Sequence, residues 1–164
     1  MDLYTYWYQS PIGVMEIKSK DGYIVAAGFM REDFQISNNR NITDTVLNSC
    51  IQQLDQYFSG KELHFKLPLQ QDGTPFQQSV WNALLKINPG ETNSYLQLSK
   101  NLGNPKAIRA VGTANGANAI AIIVPCHRVI GSQGKLVGYG GGLWRKKWLL
   151  DHEAKYCHGV QELF

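Results

Sequence analysis

The densest chemistry in this 164-residue chain is Pro125-Cys126-His127-Arg128. A cysteine becomes a nucleophile when a neighbouring base takes its proton or a positive field favours the thiolate, and His127 and Arg128 are groups of those two kinds. Adjacent side chains of an extended strand point to opposite sides. His127 can therefore serve Cys126 only at a turn, at a helix start or through a water, and Pro125 makes such a break plausible. A third group must then orient the imidazole and balance its charge. The carboxylates downstream are few: Asp151, Glu153 and Glu162. The competing reading of an isolated Cys-His pair is a buried structural thiol. Cys50 and Cys157 complete an odd set with no C-x-x-C spacing, which indicates neither a disulfide framework nor a zinc knuckle. His152, Cys157 and His158 lack a fourth partner at metal-binding spacing, so no metal is expected.

The elements that must position these residues can be read in order. Leu3 to Tyr8, Gly13 to Lys18 and Tyr23 to Phe29 are β-rich runs separated by Ser10-Pro11-Ile12-Gly13 and Asp21-Gly22, which predicts a three-stranded antiparallel meander. A polar stretch, Ser37 to Asn41, follows. Val46, Leu47, Cys50, Ile51, Leu54, Tyr57 and Phe58 share one helical face that Gly60 closes, so Cys50 reads as core. A short strand is expected over Leu63 to Leu67, and Pro68 to Thr74 as a linker. Thr74 caps and Pro75 opens a helix with Phe76, Val80, Leu84 and Ile87 on one face, ended by Asn88-Pro89-Gly90. Ser94 and Gln97 form a capping box for a helix from Tyr95 to Leu102. After Gly103, Asn104 caps and Pro105 opens a further helix to about Asn115, giving a helix-turn-helix. On that second helix Ile108 and Val111 are expected to point into the core. Lys106, Arg109, Ala110 and Thr113 form a small, basic opposite face, suited to close approach to a groove or to ordinary solvation. Ala119 to Val124 is apolar, Gly131 to Gly142 holds 6 of the 16 glycines, and an amphipathic helix runs from Leu143 to about Glu153.

The net charge of +3 is unevenly spread: residues 1–75 carry −3 and residues 76–164 carry +6. A polyanion partner for the C-terminal half and a solvated basic face both fit that asymmetry. With 43% hydrophobic and 18% charged residues the composition is globular, which excludes collagen-like, mucin-like and coiled-coil readings. No apolar run spans a bilayer and the N-terminus lacks signal-peptide character, so a cytoplasmic protein is expected.

Taken together, these motifs resemble the O6-alkylguanine-DNA alkyltransferases, also called methylated-DNA–protein-cysteine methyltransferases. The likeness is close from Phe76 to Glu153 and loose before it. It rests on Pro125-Cys126-His127-Arg128, on Ser94-Tyr95, on Arg109-Ala110-Val111-Gly112, on Asn118, on Val137-Gly138-Tyr139 and on Leu149-Leu150-Asp151-His152-Glu153, in order and in register. The resemblance implies an α+β fold: an N-terminal ribonuclease-H-like or ferredoxin-like β-sheet domain over residues 1–74, and a C-terminal winged helix-turn-helix domain over residues 75–164. It implies Cys126 as alkyl acceptor, His127 as its base through a water, Glu153 orienting the imidazole, and Tyr95 as proton donor to the leaving guanine. Arg109 would fill the gap left by a rotated nucleotide, with Ser94, Lys106, Ala110, Gly112, Thr113 and Arg128 also at the DNA. Val129, Tyr139, Gly140 and Gly141 would line the base pocket and Asn118 would hold the hinge. No cofactor is implied.

The expected partner is double-stranded DNA containing O6-alkylguanine, bound by a monomer. Activity on O4-alkylthymine and cooperativity on DNA are left open. Thr113, Ala119 and Gly140 depart from the usual family pattern. The main alternative is a non-catalytic alkyltransferase-like protein that marks lesions, against which the presence of Cys126 counts, because those relatives replace it. A transcription regulator and a thiol hydrolase are weaker rivals, lacking a dimerisation segment and an oxyanion-hole motif respectively.

Overall fold

The computed structural model describes residues 2–37, 39 and 43–159. Part of the polar stretch from Ser37 to Asn41, and Glu162, lie outside them. The chain divides into two compact units, Met1–Gln71 with Ala119–Ala121, and Asp72–Asn118 with Ile122–Phe164. The return of Ala119–Ala121 to the first unit is something a single cut near residue 75 does not foresee.

In the first unit β1 (Leu3–Ser10), β2 (Gly13–Lys20) and β3 (Tyr23–Phe29) form the antiparallel meander, in the order β1-β2-β3. The β2–β3 turn places Asp21 and Gly22 at φ 53 and 82, the paired left-handed conformation that favours Asp-Gly in two-residue hairpins. Helix α1 (Thr45–Ser59) packs on all three strands. Asp44 caps it by accepting from the Leu47 N–H at 3.1 Å, and Gly60 ends it at φ 78. Met15, Ile17, Ile24, Leu47, Cys50, Leu54 and Tyr57 form the core of this unit. Burial pushes the Cys50 thiol up to about 12, as befits a structural cysteine.

The strand expected over Leu63 to Leu67 does not form. The Gln53 side-chain amide brackets Lys66 instead, donating to its carbonyl at 3.0 Å and accepting from its N–H at 2.8 Å. The backbone bonds a ladder would have made are thereby partly satisfied without one. Pairing falls later, inside the expected linker, where Leu69 bridges Ile24. Ala119–Ala121 adds a second parallel bridge, at Ala27 with Ile120.

The second unit is helical. Helix α2 (Pro75–Leu84) starts on a full capping box between Thr74 and Gln77, and Trp81 Nε1 donates to the Ala114 carbonyl at 2.9 Å. β4 (Asn93–Ser94) leads into α3 (Tyr95–Asn101), which is followed by α4 (Ile108–Gly116). At Ser94 only half of the expected box is present: Ser94 Oγ accepts from the Gln97 N–H at 2.9 Å, while the Gln97 amide turns to Asn101. Pro105 does not open α4. Asn104 uses its side chain on the Lys106 N–H at 3.2 Å and its carbonyl on the Ala107 N–H at 3.1 Å, a local turn that competes with the helix. The helix consequently starts three residues later, and Ile108 in its first turn is 41% exposed rather than core. Val111, Ala114 and Asn115 form the buried side. β5 (Val129–Ile130) pairs in parallel with β4, and α5 (Leu143–His158) runs past Glu153 to a left-handed cap at Gly159. Among the described residues no helix is long and apolar enough to cross a membrane.

Candidate active site

The backbone before Cys126 is bent. Ile122, buried and β-branched, sits at φ 71, a conformation that costs on the order of 1–3 kcal/mol and persists only where its surroundings enforce it. Asn118 supports this bend by donating from Nδ2 to the Val124 carbonyl at 2.9 Å. Pro125, at φ −82 and ψ 64, lies in an inverse γ-turn closed by the Cys126 N–H on the Val124 carbonyl at 2.8 Å. Cys126–Arg128 then form one turn of 3-10 helix, with the Arg128 N–H on the Pro125 carbonyl at 3.0 Å. This is the break in extended structure that a Cys-His pair needs.

Cys126, His127 and Glu153 are all buried. His127 Nε2 lies 2.7 Å from Glu153 Oε2, and His127 Nδ1 is buried without a protein partner. An ionised Glu153 can only accept, so Nε2 carries the proton and Nδ1 presents the basic lone pair. Burial alone would raise the Glu153 carboxyl, but His127 and Arg128 overcome it and hold the group well below the usual carboxylate range. Burial also lowers His127 below its ordinary value in spite of Glu153, keeping the imidazole neutral and ready to accept a proton. The Cys126 thiol is raised by burial, against a hydrogen bond from Asn118 and the charge of Lys146. The resting nucleophile is a neutral thiol that requires its base at the moment of reaction.

Arg128 is the one expected DNA contact that the fold removes from any surface. It is 5% exposed, its Nε and Nη2 donate to the two Glu153 oxygens at 2.8 and 3.0 Å, and Nη1 donates to the Ile87 carbonyl at 2.7 Å. A guanidinium fork committed to a buried carboxylate has no donor face left for phosphate. Its place is behind Glu153, fixing the carboxylate that fixes the imidazole.

The remaining expected residues fall into two groups. Lys106, Arg109, Ala110 and Thr113 are exposed, a low basic face on α4. Gly112 is half-buried and packs toward Tyr95, whose ring would stand 3.9 Å from an added Cβ. Ser94 caps α3. In the other group, the half-buried Tyr95 hydroxyl donates weakly to the Val137 carbonyl at 3.4 Å. Burial raises the phenol, while a hydrogen bond from Asn115 pulls it down. Val129 is fully buried, and the Tyr139 hydroxyl is buried without a partner. Gly140 is exposed and an added Cβ there would meet nothing within 4 Å, so the absent side chain leaves space.

Two residues of this neighbourhood are missing from the sequence reading. Lys146 is fully buried, and its Nζ donates to the carbonyls of Val137 and Gly138 at 2.8 and 3.1 Å, tying down the glycine-rich segment. Burial brings its amine down to about 8. Asn115 is 6% exposed and donates from Nδ2 to the Cys126 carbonyl at 3.3 Å. Both stand at helical spacing from recognised inward positions, Lys146 seven residues before Glu153 and Asn115 four after Val111, and that was the available signal. Among the described residues no group of three or more His, Cys, Asp or Glu could hold a metal ion. His152 stacks on Trp148, and His158 Nε2 lies 3.0 Å from the Gly90 carbonyl.

A buried cysteine followed by a histidine that is held by a buried carboxylate, in the same unit as a two-helix element with an exposed basic face, defines the site. The chain belongs to the 6-O-methylguanine DNA methyltransferase family: residues 3–71 match its ribonuclease-like domain and residues 75–155 its DNA binding domain. It is 56% identical over 147 residues to the methylated-DNA–protein-cysteine methyltransferase of Methanosarcina barkeri, covering 88% of this chain and 93% of that one. To the corresponding protein of Methanosarcina acetivorans it is 44% identical over 149 residues, covering 90% and 96%. The crystal structure of Mycobacterium tuberculosis OGT in complex with DNA superposes with a TM-score of 0.81 at 42% identity, covering 94% and 93%. Its α+β architecture, with an antiparallel sheet and a helical DNA-binding domain, is that of this family.

Proposed function

We propose that this protein repairs double-stranded DNA by direct reversal, taking the alkyl group of O6-alkylguanine irreversibly onto Cys126. The observation that carries this reading is the buried, doubly held Glu153 behind His127, with Nδ1 of that histidine left as the basic atom. The O6 carbon is inaccessible inside a stacked duplex, so the nucleotide must be rotated out, at a cost of a few kcal/mol that the damaged pair partly offsets. Arg109, projecting from the low face of Ala110 and Thr113, fills the gap, and Lys106 and Ser94 lie at the DNA backbone. The base is received beside Val129, Tyr139, Gly140 and Gly141, with Asn118 holding the bend that leads there.

In the transfer step His127 Nδ1 takes the Cys126 thiol proton through a water, and Glu153 stabilises the imidazolium. Sulfur bonds to the alkyl carbon, the carbon–O6 bond breaks, and its electron pair moves into the guanine ring. The Tyr95 hydroxyl proton goes to N3, so guanine leaves neutral. The proton on His127 returns through solvent to the tyrosinate. The product is a thioether that no group here can hydrolyse, so each molecule reacts once. This is methylated-DNA–protein-cysteine methyltransferase activity without a cofactor, carried by a monomer in the cytoplasm, where the thiol stays reduced.

The Cys126→Ser variant tests the reading directly. It should still bind a duplex containing O6-methylguanine and transfer nothing. A Cys126→Ser protein that still removes the methyl group would place the chemistry elsewhere, and a wild-type protein that binds the lesion without transfer would leave a marking protein.

A further inference from the structure

The buried side of α4 ends on Asn115, whose amide faces the reactive centre rather than DNA. Its Nδ2 donates to the carbonyl of Cys126, the nucleophile's own residue, at 3.3 Å. The same side chain hydrogen-bonds the Tyr95 phenol. The amide orientation is fixed by this pairing, because reversing it would set Oδ1 against the Cys126 carbonyl, acceptor against acceptor. The amide nitrogen therefore faces inward, onto the Cys126 carbonyl and toward the Tyr95 oxygen. On its other side the phenol holds Val137 only loosely, at 3.4 Å.

We infer that Asn115 is a positioning residue for alkyl transfer, whose amide ties the Cys126 backbone to the Tyr95 oxygen so that the tyrosine proton is aimed into the base pocket. The inference rests on the alkyl-transfer reading above. A donor behind the phenol oxygen does two things. It fixes the direction of the O–H bond, and it stabilises the negative charge that grows on oxygen as the proton passes to N3 of the departing base. The Val137 contact is weak enough to be surrendered when the base arrives, while the Asn115 contact is kept throughout. Because Asn115 lies on the same helix as Arg109, the element that reads DNA also sets the geometry of the proton donor.

The test is a double-mutant cycle on the full chain, reading the single-turnover rate of methyl transfer from an O6-methylguanine duplex and, separately, duplex affinity. Asn115→Leu should slow transfer about tenfold or more, the order expected for removing a hydrogen bond to a group that gains charge in the transition state, with duplex affinity unchanged. In a Tyr95→Phe background the same change should cost no more than about twofold, because the two residues act as a unit. Asn115→Asp keeps the size of the side chain and carries the same test if the leucine variant does not fold. Its deficit relative to wild type should shrink as pH falls and the carboxyl regains a proton to donate. Equal slowing by Asn115→Leu in both backgrounds, or an unchanged rate in the Tyr95-containing protein, would overturn the inference. Failure of the unmutated chain to transfer methyl would instead remove the functional reading on which it rests.

Discussion

Two arginines of the second unit show how burial changes the meaning of a charge. Arg109 stands on the exposed face of α4 among Ala110 and Thr113, whereas Arg128 is buried with its guanidinium directed to Glu153 and Ile87. Both sit in the basic half of the chain and both are candidates for phosphate on sequence grounds. Only one has a surface to offer. The cost of burying a guanidinium is met by a bidentate carboxylate and a backbone carbonyl, and the benefit is a Glu153 that stays ionised beside His127. The positive charge of this half is therefore divided between an exposed face on α4 and an inner clamp on Glu153.

Substitutions at the two positions should separate these ends. Arg128→Ala strips the buried Glu153 carboxylate of its charged partner and leaves it facing a neutral His127, and the loss of one partner of a buried pair typically costs about 3–5 kcal/mol. A large fall in Tm together with lost transfer is expected by thermal denaturation and single-turnover assay. A variant with native Tm would show that the inner clamp is not structural. Arg109→Ala should leave stability within about 0.5 kcal/mol, as for an ordinary surface change. It should depress repair of duplex DNA far more than reaction with free O6-benzylguanine, and equal losses on both substrates would remove the gap-filling role.

Acid should act first on the inner region. His127 is lowered below its ordinary 6.5 and Glu153 below 4.5. Below pH 6.5 the unfolded chain binds a proton at histidine that the native state resists, and below 4.5 it binds another at the carboxylate. Stability from both groups is thus complete above pH 6.5 and is lost progressively below it. A Tm that begins to fall only under pH 4 would contradict the buried, neutral histidine. The smallest effect belongs to the outer face: Lys106→Ala should lower the slope of log affinity against log salt by about one, without sequence preference.

Much of this was legible in the residues, and the failures have physical causes. The β-meander, α1 and the Thr74-Pro75 start were readable because Asp-Gly turns, one-face periodicity and helix caps are local signals. The strand at Leu63 to Leu67 failed because a side chain, Gln53, takes over backbone bonds, which no periodicity reports. Pro105 misled because a local Asn104 turn competes with helix initiation. At the site, Cys126, His127 and Glu153 were identified from their types and from family resemblance, and the 3-10 turn that sets Cys126 beside His127 was anticipated only as a break at Pro125. Arg128, Lys146 and Asn115 were misread or passed over, since a polar residue on a buried face looks like a surface residue until its partner, 25 residues or more away for Arg128, is known.

The most direct measurement is the intact mass of the protein after incubation with excess duplex containing O6-methylguanine, followed by peptide mapping. The account predicts a gain of one methyl group per molecule, located on Cys126, with no further gain at longer times or higher substrate. An unchanged mass, a methyl group on another residue, or continued turnover beyond one equivalent would contradict it.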